Sequence, residues 1–112
     1  MDGNDLRRLA LGLPETEEKS HFGKADFRVR NRVFATLPSP DTGVVKLTPE
    51  EQEMLVTSEP AVFSPVKGGW GLKGWTRIAL PAADEATLQS ALWMGWRNAA
   101  PAALKKEYSR GS

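Results

Sequence analysis

The stretch His21-Phe22-Gly23-Lys24-Ala25-Asp26-Phe27-Arg28-Val29-Arg30-Asn31-Arg32-Val33-Phe34-Ala35-Thr36-Leu37 decides the fold. Phe27 and Val29 alternate with Asp26, Arg28 and Arg30, the period of two that marks a half-buried strand. The segment that follows carries Val33, Phe34 and Thr36, which suit a pleated surface. Between them Arg30-Asn31 fits a two-residue hairpin turn, because Asn tolerates the left-handed backbone that such turns require. Facing residues of an antiparallel pair share a side. The neighbouring registers therefore put Phe27, Val29, Phe34 and Thr36 on one face, read as core, and Arg28, Val33, Ala35 and Leu37 on the other.

Working outward, the 112 residues suit a single domain spanning residues 1–112, with the last few expected to form a flexible tail. The chain has no cysteine, which excludes disulfides and thiolate metal sites and makes a reducing cytoplasm its natural home. No apolar run approaches the roughly 20 residues a membrane helix needs, and the start lacks the pattern of a signal peptide. No membrane association is expected. The net charge of +1 does not by itself imply a nucleic-acid partner. Its distribution says more. From Lys19 to Leu47 there are six basic residues against two acids, and from Val66 to Leu80 there are three against none. The acids gather in segments with helical spacing.

Residues 4–13 read as a short helix capped by Asn4 or Asp5, with Leu6, Leu9, Ala10 and Leu13 as its apolar stripe. Residues 15–22 read as a weak edge strand, residues 44–47 as a short strand and residues 63–67 as another. Thr48-Pro49-Glu50-Glu51 is a helix start, with Thr48 as cap, Pro49 in the first turn and Glu51 closing a capping box. Residues 75–80 alternate as a strand, with Thr76, Ile78 and Leu80 inward and Trp75, Arg77 and Ala79 outward. Asp84 caps a last long helix to about Ala100, whose stripe is Leu88, Ala91, Leu92, Gly95, Trp96 and Ala99. Residues 102–108 allow one or two more basic turns. Tight turns imply a mainly antiparallel sheet, and the three main helices are too few to cover both of its faces. The expected fold class is α+β, an antiparallel sheet with helices packed on one face.

Gly69-Trp70-Gly71-Leu72-Lys73-Gly74 spells G-x-G-x-x-G, but a dinucleotide site needs a helix after it to receive the pyrophosphate. A strand follows here, so the stretch is read as a flexible hairpin loop or bulge that can carry Trp70, Lys67 and Lys73 to a partner. His21, the single histidine, has no nucleophile or ligand set spaced around it and reads as structural or surface. The Glu-rich segments lack ligand spacing and read as solvated helix faces. No catalytic residue, metal site or cofactor is expected, and the chain is not expected to be an enzyme. What remains is the open sheet face, on which Arg28, Lys46, Trp75 and Arg77 combine, with Arg30 and Arg32 at the hairpin tip. Cations interleaved with aromatics suit phosphate neutralisation and base stacking, although solvent-facing strand positions carry Lys and Arg for no special reason just as often.

Ala10-Leu11-Gly12-Leu13-Pro14-Glu15, His21-Phe22-Gly23-Lys24, Phe34-Ala35-Thr36-Leu37, Lys46-Leu47-Thr48-Pro49-Glu50, Gly74-Trp75-Thr76-Arg77 and the Ala91–Arg97 helix together resemble the MmcQ/YjbR family. The resemblance implies a bacterial α+β domain with a CyaY-like, that is frataxin-like, sandwich and two wing-like β elements, commonly labelled DNA-binding. Iron binding does not carry over, since the first helix holds Arg7 and Arg8 beside only Asp2 and Asp5. The chain departs from the family's pattern at Trp93 and Met94, where polar residues are expected. The resulting expectation is a non-enzymatic, monomeric DNA-binding protein with Arg28, Arg30, Arg32, Lys46, Lys67, Trp70, Lys73, Trp75 and Arg77 at the interface. The alternative is a module that binds a protein or small ligand through Trp70, Trp75 and Trp93.

Overall fold

A computed structural model describes residues 1–108. The expected tail lies outside the described residues, as does the side chain of His21. Nine-residue α1 (Gly3–Leu11) is followed by β1 (Thr16–His21), β2 (Lys24–Val29), β3 (Arg32–Ser39) and β4 (Thr42–Lys46). Then come α2 (Pro49–Ser58), β5 (Phe63–Pro65), the single turn α3 (Gly69–Leu72), β6 (Trp75–Ala79), α4 (Glu85–Ala99) and α5 (Ala102–Tyr108). The sheet runs β1-β2-β3-β4-β6-β5 and every pairing is antiparallel. α1 and α4 pack against β3 and β4 on one face, and α2 against β5. The other face has no helix laid across it among the described residues.

The hairpin turn forms at the expected pair. Arg30 and Asn31 both take positive φ, 49° and 68°, the geometry that matches the twist of two antiparallel strands. Phe27, Val29 and Phe34 are fully buried. The register beyond them differs from the expectation. Phe27 faces Ala35 while Arg28 faces Val33, so Phe34 is an extra residue bulged into the core. A bulge reverses the alternation on one side of itself. Ala35, expected outside, is therefore buried with Phe34. Leu37 likewise turns to the helix side, where it lies against Gly3. Thr36, expected inside, moves to the uncovered face.

Helix termini follow the local chemistry. Thr48 and Glu51 form the expected capping box, with N–H to oxygen distances of 2.9 and 3.1 Å, and Asp84 accepts from the Thr87 N–H at 2.8 Å. α1 starts earlier than expected because Asp2, not Asn4 or Asp5, is its cap. The Asp5 N–H donates to the Asp2 carboxylate at 3.0 Å and the Asp2 N–H returns the bond at 2.9 Å. The core gathers Leu6, Phe63, Ile78, Leu80, Leu88 and Leu92 around Trp96, whose ring is completely buried. Its indole N–H donates to the Pro14 carbonyl at 2.8 Å, which ties α4 to the turn after α1. Trp93 stacks on Trp96 with centroids 5.0 Å apart and planes 7° from parallel, which accounts for an aromatic where a polar residue was expected.

The glycine-rich segment is not the flexible hairpin loop expected from its composition. A Cβ on Gly71 would collide with the Val66 carbonyl, and one on Gly74 (φ 107°) with the Leu47 carbonyl. Two backbone crossings at contact distance pull the segment into α3. Gln52 then holds it from α2, its amide donating to the Gly71 and Trp75 carbonyls at 3.0 and 3.1 Å.

Two outcomes are expected. Gly74→Ala, which adds a clash to a strained φ, should lower unfolding stability by about 3 kcal/mol, seen as a lower urea midpoint at unchanged slope. The Asp5 and Asp84 carboxyls sit below the usual Asp range, chiefly through the backbone N–H groups of Asp2 and Thr87 respectively. A folded pKa below the unfolded one contributes stability that is complete above the unfolded value. It is lost as pH falls through the folded value, so the urea midpoint should drop below about pH 4. Asp84→Asn, whose cap cannot be protonated, should lose less across that range.

Candidate functional site

Strand register assigns the uncovered face. Lys19, Asp26, Thr36, Val44, Arg77 and Ser64 run in line across the sheet from β1 to β5. One pleat along lie Glu17, Arg28 and Val33 in one row, and Lys46 beside Trp75. Arg28, Lys46, Trp75 and Arg77 thus share this side, as the alternation of their strands requires. Arg32 does not join them. It faces Val29, so the register places it on the helix side of the hairpin tip.

The charges on this face fall into two groups. At the β1–β2 end Arg28 makes a bidentate pair with Asp26, Nε to Oδ1 at 2.8 Å and Nη2 to Oδ2 at 3.1 Å. Asp26 is buried, and its hydrogen bonds raise the Arg28 pKa further above the ordinary guanidinium value. Arg30, at the turn, pairs with Glu15 at 2.6 and 3.1 Å and holds that carboxyl below the usual Glu range. Glu17 faces Arg28, and Lys19 faces Asp26. This end is close to neutral, and its arginines already have carboxylate partners.

The β4–β6–α3 end differs. Lys46 Nζ donates to the Lys73 carbonyl at 2.7 Å and lies 5.6 Å from the Trp75 ring centroid. Lys73 Nζ lies 5.6 Å from the Trp70 centroid. Carbonyls and indole faces orient an ammonium without cancelling its charge. Arg77 and Lys67 are exposed on β6 and on the approach to α3. Trp70, 62% exposed, meets Trp75 edge to face with centroids 6.0 Å apart and planes at 75°. Together the two indoles wall a hollow of about 360 Å³ whose remaining lining is Val33, Thr36, Val44 and Val66.

The centre of the face is therefore apolar and its rim cationic, where cations interleaved with aromatics across the face were expected. The valines were missed as site residues, although consecutive Val44-Val45 signals a strand apolar on both sides. Gln52, which fixes the glycine turn under Trp70, left no sequence signal. Among the described residues no three His, Cys, Asp or Glu side chains are grouped to hold a metal ion. Nor is any helix among them long and apolar enough to cross a membrane.

The YjbR family model matches residues 11–98, from the end of α1 to the end of α4. The chain belongs to the YjbR family. In fold it is similar to the crystal structure of Deinococcus radiodurans protein DR2400, which carries a DUF419 domain. The two share 23% identity at a TM-score of 0.74, over 93% of this chain and 85% of that one. No curated protein matches the sequence. All the strands that carry the hollow, and α3 with it, lie within the part matched to the YjbR family.

Arg28 and Lys73 should respond differently to substitution. Arg28→Gln leaves the Asp26 carboxylate buried without its partner and should cost about 1–3 kcal/mol of stability. Lys73→Gln should change the unfolding free energy, read by urea titration, by less than about 0.5 kcal/mol.

Proposed function

We propose that this YjbR-family domain is a non-enzymatic nucleic-acid-binding protein, acting on DNA in the cytoplasm, with the β4–β6–α3 end of the uncovered sheet face as its contact surface. One observation carries the reading. Lys46 and Lys73 stand over two indoles that wall an apolar hollow, Arg77 lines the adjoining hollow and Lys67 follows Val66 of the shared lining, with no carboxylate salt bridge to any of the four among the described residues. Cations at the rim supply the attraction to phosphate, and the aromatic walls supply surface for a base. The DNA-binding label implied by the family resemblance points the same way.

Within this reading the nine residues expected at the interface divide. Lys46, Lys67, Trp70, Lys73, Trp75 and Arg77 form the contact. Arg28 and Arg30 serve chiefly to pair Asp26 and Glu15, and Arg32 stands outside it. The apolar lining also favours a second reading, in which the same hollow anchors a protein side chain or a small apolar ligand. The modest number of unpaired cations predicts weak, salt-sensitive affinity for nucleic acid.

Titration of fluorescein-labelled DNA at two salt concentrations tests the proposal. Affinity should fall with salt, by a log–log slope of about 0.7 to 0.9 per phosphate contact. Lys73→Gln and Arg77→Gln should each reduce that slope by close to one contact, whereas Arg32→Gln should leave it unchanged. Binding that ignores salt, or that survives loss of both Lys73 and Arg77, would overturn it in favour of the second reading.

A further inference from the structure

Two hollows lie side by side on the uncovered face. The one walled by Trp70 and Trp75 is lined by carbon, with the Thr36 side chain as its one polar member. The second, of about 300 Å³, shares Val44 and Val66 with it and adds Pro38, Ser39, Thr42 and Arg77. The surface the first hollow exposes is apolar throughout, so it offers a phosphate nothing to replace its water. A base pair inside a duplex cannot enter it either, because its faces are covered by its neighbours. An unpaired base offers a flat π-face that gains by lying against an indole, whatever its identity.

The charges around the corner fit the same occupant. Lys46 and Lys73 stand over Trp75 and Trp70, and Arg77 opens onto the second hollow. The acids that register places on this face, Glu17 and Asp26, are at the far β1–β2 end. Asp41 borders the second hollow through its bond from Ser39 Oγ at 2.8 Å. A strand lying from Trp70 towards Arg77 would meet positive charge on both sides of a seated base.

Resting on the nucleic-acid reading, we infer that the Trp70–Trp75 corner holds one unpaired base, so that the protein selects single-stranded or locally opened DNA over continuous duplex. Lys46, Lys73 and Arg77 meet the phosphates flanking that base. Selection comes from the hollow, and the cations serve single strand and duplex alike.

The test compares three labelled probes of equal length at one salt concentration: oligothymidylate, a blunt duplex, and an abasic deoxyribose-phosphate strand. Oligothymidylate should bind at least ten-fold tighter than the other two and quench tryptophan emission. Trp75→Leu should weaken oligothymidylate binding five-fold or more without changing its salt slope, and Trp75→Phe, which keeps a ring, should recover most of the loss. The urea midpoint of each variant separates a lost contact from a lost fold. Equal affinity for all three probes, or indifference to Trp75→Leu in a folded variant, overturns the unpaired-base inference and leaves the nucleic-acid reading standing. If no probe binds, both fall. Self-association that Trp75→Leu abolishes, seen by sedimentation, would assign the hollow to a second copy of this chain and overturn both as well.

Discussion

The structure depends on how closely α4 approaches the sheet. At Gly95 a single added carbon would meet Val45 Cγ2 at 2.5 Å and the Phe34 carbonyl at 3.1 Å, so helix and strand backbones lie almost in contact there. A side chain at that point would lift the helix, and the burial of Trp96, Leu92 and Leu88 beside it would be lost with it. The contact is secured on its polar side as well. Asn98 donates to the Lys46 carbonyl at 3.0 Å and to Glu51 at 2.8 Å, joining α4 to the end of β4 and to the α2 cap. One helix near the end of the chain thereby fixes the consecutive segments β3, β4 and the start of α2. Because α1 and α4 lie on the same side, the reverse of the sheet is left without a layer of its own.

What that reverse face presents is settled by neighbours more than by composition. The arginines and lysines in and around this face look equivalent in sequence, yet their surroundings separate them. A guanidinium held two-pronged by a carboxylate is largely spent, because its donors are occupied and its charge is cancelled nearby. An ammonium over an indole, or bonded to a carbonyl, keeps its charge and is merely aimed. Arg28 and Arg30 fall in the first class, Lys46 and Lys73 in the second. The glycine turn matters for the same reason. Gly71 and Gly74 bring the backbone down onto Val66 and Leu47, and Trp70, though still largely exposed, is thereby held at the rim against Trp75.

The parts legible in the sequence are those with local causes. The turn at Arg30-Asn31, the Thr48 and Asp84 caps and the α4 stripe all follow from residue type and short spacing, and all are found. The burial of Phe27, Val29 and Phe34 follows from alternation. Alternation fails where Phe34 bulges, since one extra residue is invisible in a pattern and yet exchanges Thr36 with Ala35. The fate of the site's cations divides along the same line. Arg28 and Asp26, two apart on one strand, could be paired on sight because they must share a face. Glu15 and Arg30 could not, for only the register of β1 on β2 brings them together. The turn at α3 escapes because its cause is close approach of backbone, at Val66 shortly before Gly71 and at Leu47, distant in sequence from Gly74, and composition shows neither.

The two outermost strands bear on how the molecule behaves in a crowded solution. A sheet ends in a row of unused backbone donors and acceptors, and such a row recruits further strands unless something spoils it. At one end β5 is three residues long and finishes in Pro65, which has no N–H to offer. At the other, β1 is Thr-Glu-Glu-Lys-Ser-His, dense in charge and held to α1 by the Arg7–Glu18 bridge at 2.9 Å. Neither border is a good template for growth, so the chain can leave one face of its sheet bare without inviting fibrils at its margins.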